Sequence, residues 1–125
     1  MNFPSDIKYH KEHTWAKAEG DTAVIGITDH AQDQLGDILY VELPGVGDEI
    51  KQDETFGTVE SAKVASDLYA PVSGKVIEVN PELEDSPEKV NESPYGDGWM
   101  IKVKMTDSSE LDNLMSNTEY ENSIK

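Results

Sequence analysis

The stretch from Thr55 to Tyr69 constrains this chain more than any other. Thr55-Phe56-Gly57-Thr58-Val59 and Val64-Ala65-Ser66-Asp67-Leu68-Tyr69 are rich in β-branched and aromatic residues, which suit a pleated strand. Pro71 and then Gly74 stop the second run. Glu60-Ser61-Ala62-Lys63 leaves room only for a tight turn, so a hairpin with Lys63 at its tip is predicted. Ser61, Ala62, Ala65 and Ser66 surround this single long cation with small side chains, and Glu60 and Asp67 place an acid at each end. A turn exposes backbone and often carries function. A solvated surface lysine is the simplest account of Lys63, but small neighbours on both sides leave it open for another protein to grip.

Most of the remaining chain also reads as strands. Trp15 to Ala18 and Thr22 to Ile27 flank the turn Glu19-Gly20-Asp21. Thr28 is placed to cap a short helix over about 28–35, and Gly36 to end it. Ile38 to Leu43 is a strand closed by Pro44-Gly45-Val46-Gly47, and Lys75 to Val79 is another. From Trp99 to Lys104 the alternation puts Trp99, Ile101 and Val103 on one face and two lysines on the other. Ser108 or Ser109 can cap a last helix over about 108–120, with Leu111, Leu114, Met115 and Thr118 as its packing stripe. Between Pro81 and Gly98 lies a polar connection carrying Glu82, Glu84, Asp85 and Glu88, where Asn80-Pro81 suits a cap and first helical position. A solvated loop is expected there. Val41, Pro44, Gly47 and Ile50 recur as Leu68, Pro71, Gly74 and Ile77, a faint internal repeat.

At 125 residues the chain suits one domain, 1–125, with a single core. No apolar run approaches the roughly 20 residues of a membrane span. The start lacks arginine and an apolar signal core, so a cytoplasmic protein is expected, or a mitochondrial matrix protein whose presequence has been removed. There are no cysteines, which excludes disulfides and thiolate metal sites. Ten lysines against 26 acids give a net charge of −16, which repels nucleic-acid phosphates and anionic lipid and favours basic protein surfaces. Neither nucleic acid nor membrane is expected as a partner, and a monomer is expected.

An active site is not legible. His10, His13 and His30 have no metal-ligand spacing on a helix, and His13 beside Trp15 reads as structural. None of Ser61, Ser66 and Ser73 sits in a Gly-x-Ser-x-Gly turn. Gly45-Val46-Gly47 lacks the following glycine and lysine of a phosphate loop.

The run Glu60-Ser61-Ala62-Lys63-Val64-Ala65-Ser66-Asp67 resembles the lipoyl-attachment sequence of the glycine cleavage system H protein family. Biotin carriers have Met-Lys-Met at the same tip and acyltransferase lipoyl domains usually Asp-Lys-Ala; neither fits Ala62-Lys63-Val64. The likeness extends through His13-x-Trp15, Gly26-Ile27-Thr28-Asp29-His30-Ala31-Gln32, Leu35-Gly36-Asp37-Ile38, Val41-Glu42-Leu43-Pro44 and Pro94-Tyr95-Gly96-Asp97-Gly98-Trp99-Met100-Ile101-Lys102, in the family's order.

The resemblance implies a mainly β, lipoyl/biotinyl-type barrel-sandwich hybrid. It implies lipoic acid joined by an amide to Lys63, with Glu60, Ser61, Ala62, Val64 and Asp67 read by a lipoate ligase or octanoyltransferase. The amide would take the net charge from −16 to −17, and the arm would reach roughly 14 Å from Cα at ordinary bond lengths. The implied role is a non-catalytic carrier of glycine's methylamine group. It would run from the pyridoxal-phosphate glycine decarboxylase (P protein) to the tetrahydrofolate-dependent aminomethyltransferase (T protein). Dihydrolipoamide dehydrogenase (L protein) would reoxidise the arm. A relay of octanoyl or lipoyl groups to other complexes is the alternative. The family shelters its loaded arm near the N-terminal segment and first helix, often with Glu between the histidine and tryptophan. This chain has Thr14, which cannot carry that charge, leaving Glu12 or Asp67 to supply it.

Overall fold

The two-residue turn at Gly20, where φ is +67°, joins β2 (Thr14–Glu19) to β3 (Thr22–Ile27) in the register Glu19↔Thr22 to Thr14↔Ile27. Around this hairpin the computed structural model, which describes residues 1–124, builds two antiparallel sheets. β1 (Lys8–Tyr9), β2, β3, β9 (Ile101–Met105), β8 (Gly74–Val79) and β5 (Glu49–Ile50) form the larger, in that order. The smaller has β6 (Thr55–Ser61) between β4 (Ile38–Glu42) and β7 (Ala65–Tyr69).

Ile25, Val76, Ile101 and Val103 of the larger sheet meet Ile38, Phe56, Val59 and Leu68 of the smaller in one buried cluster. Each such side chain stabilises the fold by about 1.5–3 kcal/mol relative to exposure. This is the expected mainly β sandwich. A second cluster packs Trp15, Tyr9 and Tyr120 outside the larger sheet, with the Tyr9 and Tyr120 rings stacked at 4.8 Å. The Trp15 indole N–H, fully withdrawn from water, donates to the carbonyls of Ile27 (2.9 Å) and Pro94 (3.2 Å). The faint repeat maps onto two crossings from small sheet to large, β4 to β5 and β7 to β8, and β5 pairs with β8 at Ile50↔Gly74. The halves diverge where β8 bulges between Val76 and Glu78: Ile50 is buried and Ile77 exposed.

The short helix expected over 28–35 is α1 (Asp29–Leu35). Thr28 caps it by accepting the Ala31 N–H, and Gly36 ends it by donating its N–H to Gln32. Three expectations are corrected. The connection from 81 to 98 is not a solvated loop: α2 (Glu82–Asp85) buries Leu83 and α3 (Lys89–Glu92) buries Val90. Pro81 already has helical backbone angles, and Asn80 caps in effect, its Oδ1 accepting the Glu82 N–H at 3.1 Å.

The helix expected over 108–120 is split. A 3-10 helix runs Ser108–Asn113, begun by Asp107 rather than by either serine, and α4 runs Asn117–Ser123 with Ser116 and Glu119 forming a capping box. Tyr9 and Met115 exchange both backbone hydrogen bonds, at 2.8 and 2.9 Å, which holds residue 115 extended and breaks the helix. Finally, Trp99 precedes β9 instead of sharing its buried face. Met100 takes the core position, and Lys102 lies over the Trp99 ring at 4.9 Å.

Candidate functional site

β6 and β7 pair from Thr55↔Tyr69 to Glu60↔Ala65, which leaves Ala62 and Lys63 as the two residues between Ser61 and Val64. Ser61 closes that turn almost alone. Its backbone N–H donates to the Val64 carbonyl at 2.9 Å. Its Oγ accepts the N–H groups of Lys63 and Val64, both at 3.2 Å, and its hydroxyl donates to the Val64 carbonyl at 3.1 Å. A hydroxyl at this spacing satisfies the backbone donors without a glycine at the tip. Ala62 donates to the Asp37 carbonyl, which ties the tip to the start of β4. Glu60, Ala62, Lys63, Val64 and Asp67 are all exposed, and Lys63 makes no ion pair among the described residues.

The Lys63 side chain runs over Gly36. A Cβ built on Gly36 would stand 3.5 Å from Lys63 Cε and 3.7 Å from Nζ. Gly36 has φ +79° and ψ −156°, a backbone region that essentially only glycine occupies. Asn91 of α3 fixes this corner. Its Nδ2 donates to the Gly36 carbonyl at 2.8 Å and to Gln32 Oε1 at 3.0 Å, while Oδ1 accepts the Ile38 N–H at 2.9 Å. Asn91 thus holds both sides of Asp37, the residue to which the tip is tied.

Beside the hairpin a cleft of about 270 Å³ opens between α1 and β7. Ile27, Ala31, Leu35 and Leu68 give it an apolar floor. Glu12 and Asp67 bring carboxylates to its wall, and His13 and His30 bring imidazoles whose rings lie 5.0 Å apart. Thr14 is not part of the wall. It is buried in β2 and its hydroxyl donates to the Tyr69 carbonyl at 2.7 Å. The negative charge of the cleft comes from Glu12 and Asp67.

His13, read from the sequence as structural, does line this cleft. Its backbone sits at φ +73°, a region histidine tolerates better than most residues. Its Nδ1 lies 2.7 Å from the Tyr120 hydroxyl. Burial and the neighbouring His30 hold the imidazole below the usual histidine range, with Glu12 opposing. His10 is instead a clamp: Nδ1 accepts the Glu12 N–H at 3.0 Å and Nε2 meets Asp53 at 2.6 Å. Neither Asn91 nor Tyr120 is legible in the sequence, because their roles arise from residues 53 to 107 positions away. The asparagine's only local signal was its place in a connection that looked solvated.

The family model described as "Glycine cleavage H-protein" matches residues 7–125. The chain belongs to the glycine cleavage H-protein family. A glycine cleavage system H protein of Bacillus licheniformis is 61% identical over 125 residues, covering 100% of this chain and 98% of that one. The H protein of Carboxydothermus hydrogenoformans is also 61% identical, over 118 residues, with 94% and 91% covered. A crystal structure of an H protein from Mycobacterium marinum superposes with a TM-score of 0.89 at 38% identity, covering 97% of this chain and 98% of that chain. The family is lipoyl-bearing, and the chain is accordingly a carrier component of the glycine cleavage system, with that system's enzymes as partners. None of the helices formed by the described residues is long and apolar enough to cross a membrane.

Proposed function

We propose that Lys63 is the lipoyl-attachment residue of a non-catalytic carrier, with Glu60, Ser61, Ala62, Val64 and Asp67 recognised by a lipoate ligase or octanoyltransferase. The observation that carries this is Lys63 itself: exposed, unpaired among the described residues, and held at a serine-braced tip among small side chains. The residues present fit the group. An amide on Nζ removes a charge that no carboxylate here balances, and the adjoining cleft combines an apolar floor with acids on its wall.

When bound, the lipoyl group supplies the disulfide and dithiol chemistry by which glycine's methylamine group is carried between enzymes. The chain's own residues do the positioning. Ser61 keeps the tip rigid, so the attachment point stays within reach of each partner. Gly36 leaves the space beneath the lysine stem clear of a side chain. Ile27, Leu35 and Leu68 offer an apolar floor to the hydrocarbon of the arm, and Glu12 and Asp67 favour a cationic amine over a neutral or anionic group there.

The specific partners in this reading are the glycine decarboxylase, the aminomethyltransferase and dihydrolipoamide dehydrogenase, in the cytoplasm. A net charge of −16 speeds encounter with basic faces on them, and salt weakens that effect. The test is Lys63→Arg in a reconstituted glycine cleavage system. Arginine keeps charge and length but cannot form the amide, because its guanidinium stays protonated. An unchanged thermal melt with lost turnover is expected; retained turnover contradicts the carrier role of Lys63. Loss of ketoacid-dehydrogenase lipoylation, with growth on glycine intact, in a deletion strain would favour the relay instead.

A further inference from the structure

The hydroxyl of Tyr120 sits between two partners, Thr28 Oγ1 at 2.8 Å and His13 Nδ1 at 2.7 Å. Thr28 Oγ1 already accepts the Ala31 N–H at 3.1 Å as the cap of α1. Two proton arrangements are then conceivable along this chain. If His13 Nδ1 carried the proton and donated to Tyr120, the tyrosine would donate to Thr28. The threonine hydrogen would then have no acceptor among the described residues, in a side chain with 0% exposure. In the other arrangement Thr28 donates to Tyr120 and Tyr120 donates to His13 Nδ1. Every hydrogen then has an acceptor, which buried hydroxyls require.

The second arrangement fixes the histidine tautomer. With Nδ1 accepting, the neutral imidazole carries its proton on Nε2. Among the described residues that atom has no hydrogen-bond partner, and no buried side-chain nitrogen or oxygen lacks one, so Nε2 is open to solvent. His13 lines the cleft beside the hairpin. We propose that His13 presents Nε2–H in that cleft as a fixed hydrogen-bond donor, its tautomer set by Tyr120 and Thr28, and that it donates to an acceptor atom of the arm carried on Lys63. The second half rests on the lipoyl reading of Lys63; the first does not.

In this arrangement α4 has a function. Tyr120 is a positioning residue: it touches no occupant of the cleft but governs one that does. Stacking on Tyr9 at 4.8 Å and the Ser116–Glu119 capping box hold it in place. The groups facing His13 are consistent with a neutral ring. His30 and His10 oppose its protonation, Glu12 favours it, and burial, the largest influence, opposes it. A neutral donor also adds no positive charge to a cleft whose carboxylates suit an amine, leaving those acids free for it.

Long-range proton–nitrogen NMR of the labelled protein near pH 7.5 tests both halves. In unmodified protein His13 should show an unprotonated Nδ1 and a protonated Nε2. Tyr120→Phe should mix the two tautomers, whereas Thr28→Ser, which keeps the hydroxyl, should preserve the wild-type pattern. If Tyr120→Phe fails to fold, Thr28→Val serves: without the threonine hydroxyl, His13 Nδ1 is the acceptor left for the Tyr120 hydrogen, so the wild-type pattern should persist, and mixed tautomers would overturn the part assigned to Tyr120. On the lipoylated protein the Nε2–H signal should shift and exchange with water roughly threefold to tenfold more slowly, the span expected for one net hydrogen bond. Lys63→Arg should show neither change. A protonated Nδ1 in unmodified protein overturns the inference and leaves the attachment site untouched. An Nε2–H signal indifferent to a lipoyl group proven on Lys63 overturns the contact with the arm. Absence of lipoyl on Lys63 overturns the lipoyl reading and that contact, while the tautomer is decided separately by the unmodified protein.

Discussion

Lys63 lies across Gly36, with its Cε 3.5 Å from where a Cβ of residue 36 would be. The end of the first helix and the tip of the β6–β7 hairpin therefore form one unit. The sequence places these residues 27 positions apart, in separate motifs. The backbone of Gly36, more than the space above it, is what forbids substitution, since φ is +79° and ψ −156°. Gly36→Ala should cost about 1–3 kcal/mol in denaturant unfolding and slow lipoylation of Lys63 by disturbing its support. An alanine variant as stable as wild type would show that the helix end tolerates a different conformation.

Asn91 bonds to Gln32, Gly36 and Ile38 through one amide group. Asn91→Ala leaves the Gly36 carbonyl and the Ile38 N–H without their partner. At about 1 kcal/mol per net hydrogen bond, a loss of roughly 2–3 kcal/mol is expected. Hydrogen exchange should localise the effect, with the Ile38 amide and the hairpin tip losing protection before the β2–β3 pair. Uniform loss across both sheets would contradict the local latch.

The hairpin, α1 and its two caps were legible in the sequence because each rests on local chemistry: a capping threonine, a terminating glycine, small residues at a tip. The segments that were not legible depend on distant partners. The polar composition of 81–98 concealed two anchors, Leu83 and Val90, whose burial comes from packing against the rest of the core. The break in the last helix follows from Met115 pairing with Tyr9, a contact spanning most of the chain. Glu12 and Asp67 were legible as the acids available once Thr14 stood in the glutamate's usual place. The part His13 plays in the cleft was not, because it depends on Tyr120.

Recognition by the attaching enzyme should follow the hairpin rather than overall charge. Glu60 is exposed at the end of β6, while Glu84 is exposed on α2, outside the hairpin. Glu60→Lys should slow lipoylation several-fold, and Glu84→Lys, with the same change in net charge, should leave it near wild type. Equal slowing by both, measured as initial rates with purified ligase, would mean that net charge is what the ligase senses.

His13 makes stability depend on pH with a definite sign. Its folded pKa is lowered, so the unfolded chain binds a proton that the folded protein resists. The stabilisation from this residue is complete above the unfolded value of about 6.5 and is lost as pH falls through the lower folded value. His13→Asn, which tolerates the positive φ, removes that dependence. Its unfolding free energy should therefore vary less than wild type between about pH 7.5 and 5. Parallel curves for the two proteins would place the pH dependence elsewhere.

Intact mass followed by peptide mapping, on protein purified from its native host, bears most directly on what Lys63 is for. One lipoyl group per chain is expected, on the peptide containing Glu60-Ser61-Ala62-Lys63-Val64, with the other nine of the ten lysines unmodified. A lipoyl group found instead on Lys51 or Lys75, or none in native material, would contradict the assignment of Lys63 as the attachment residue.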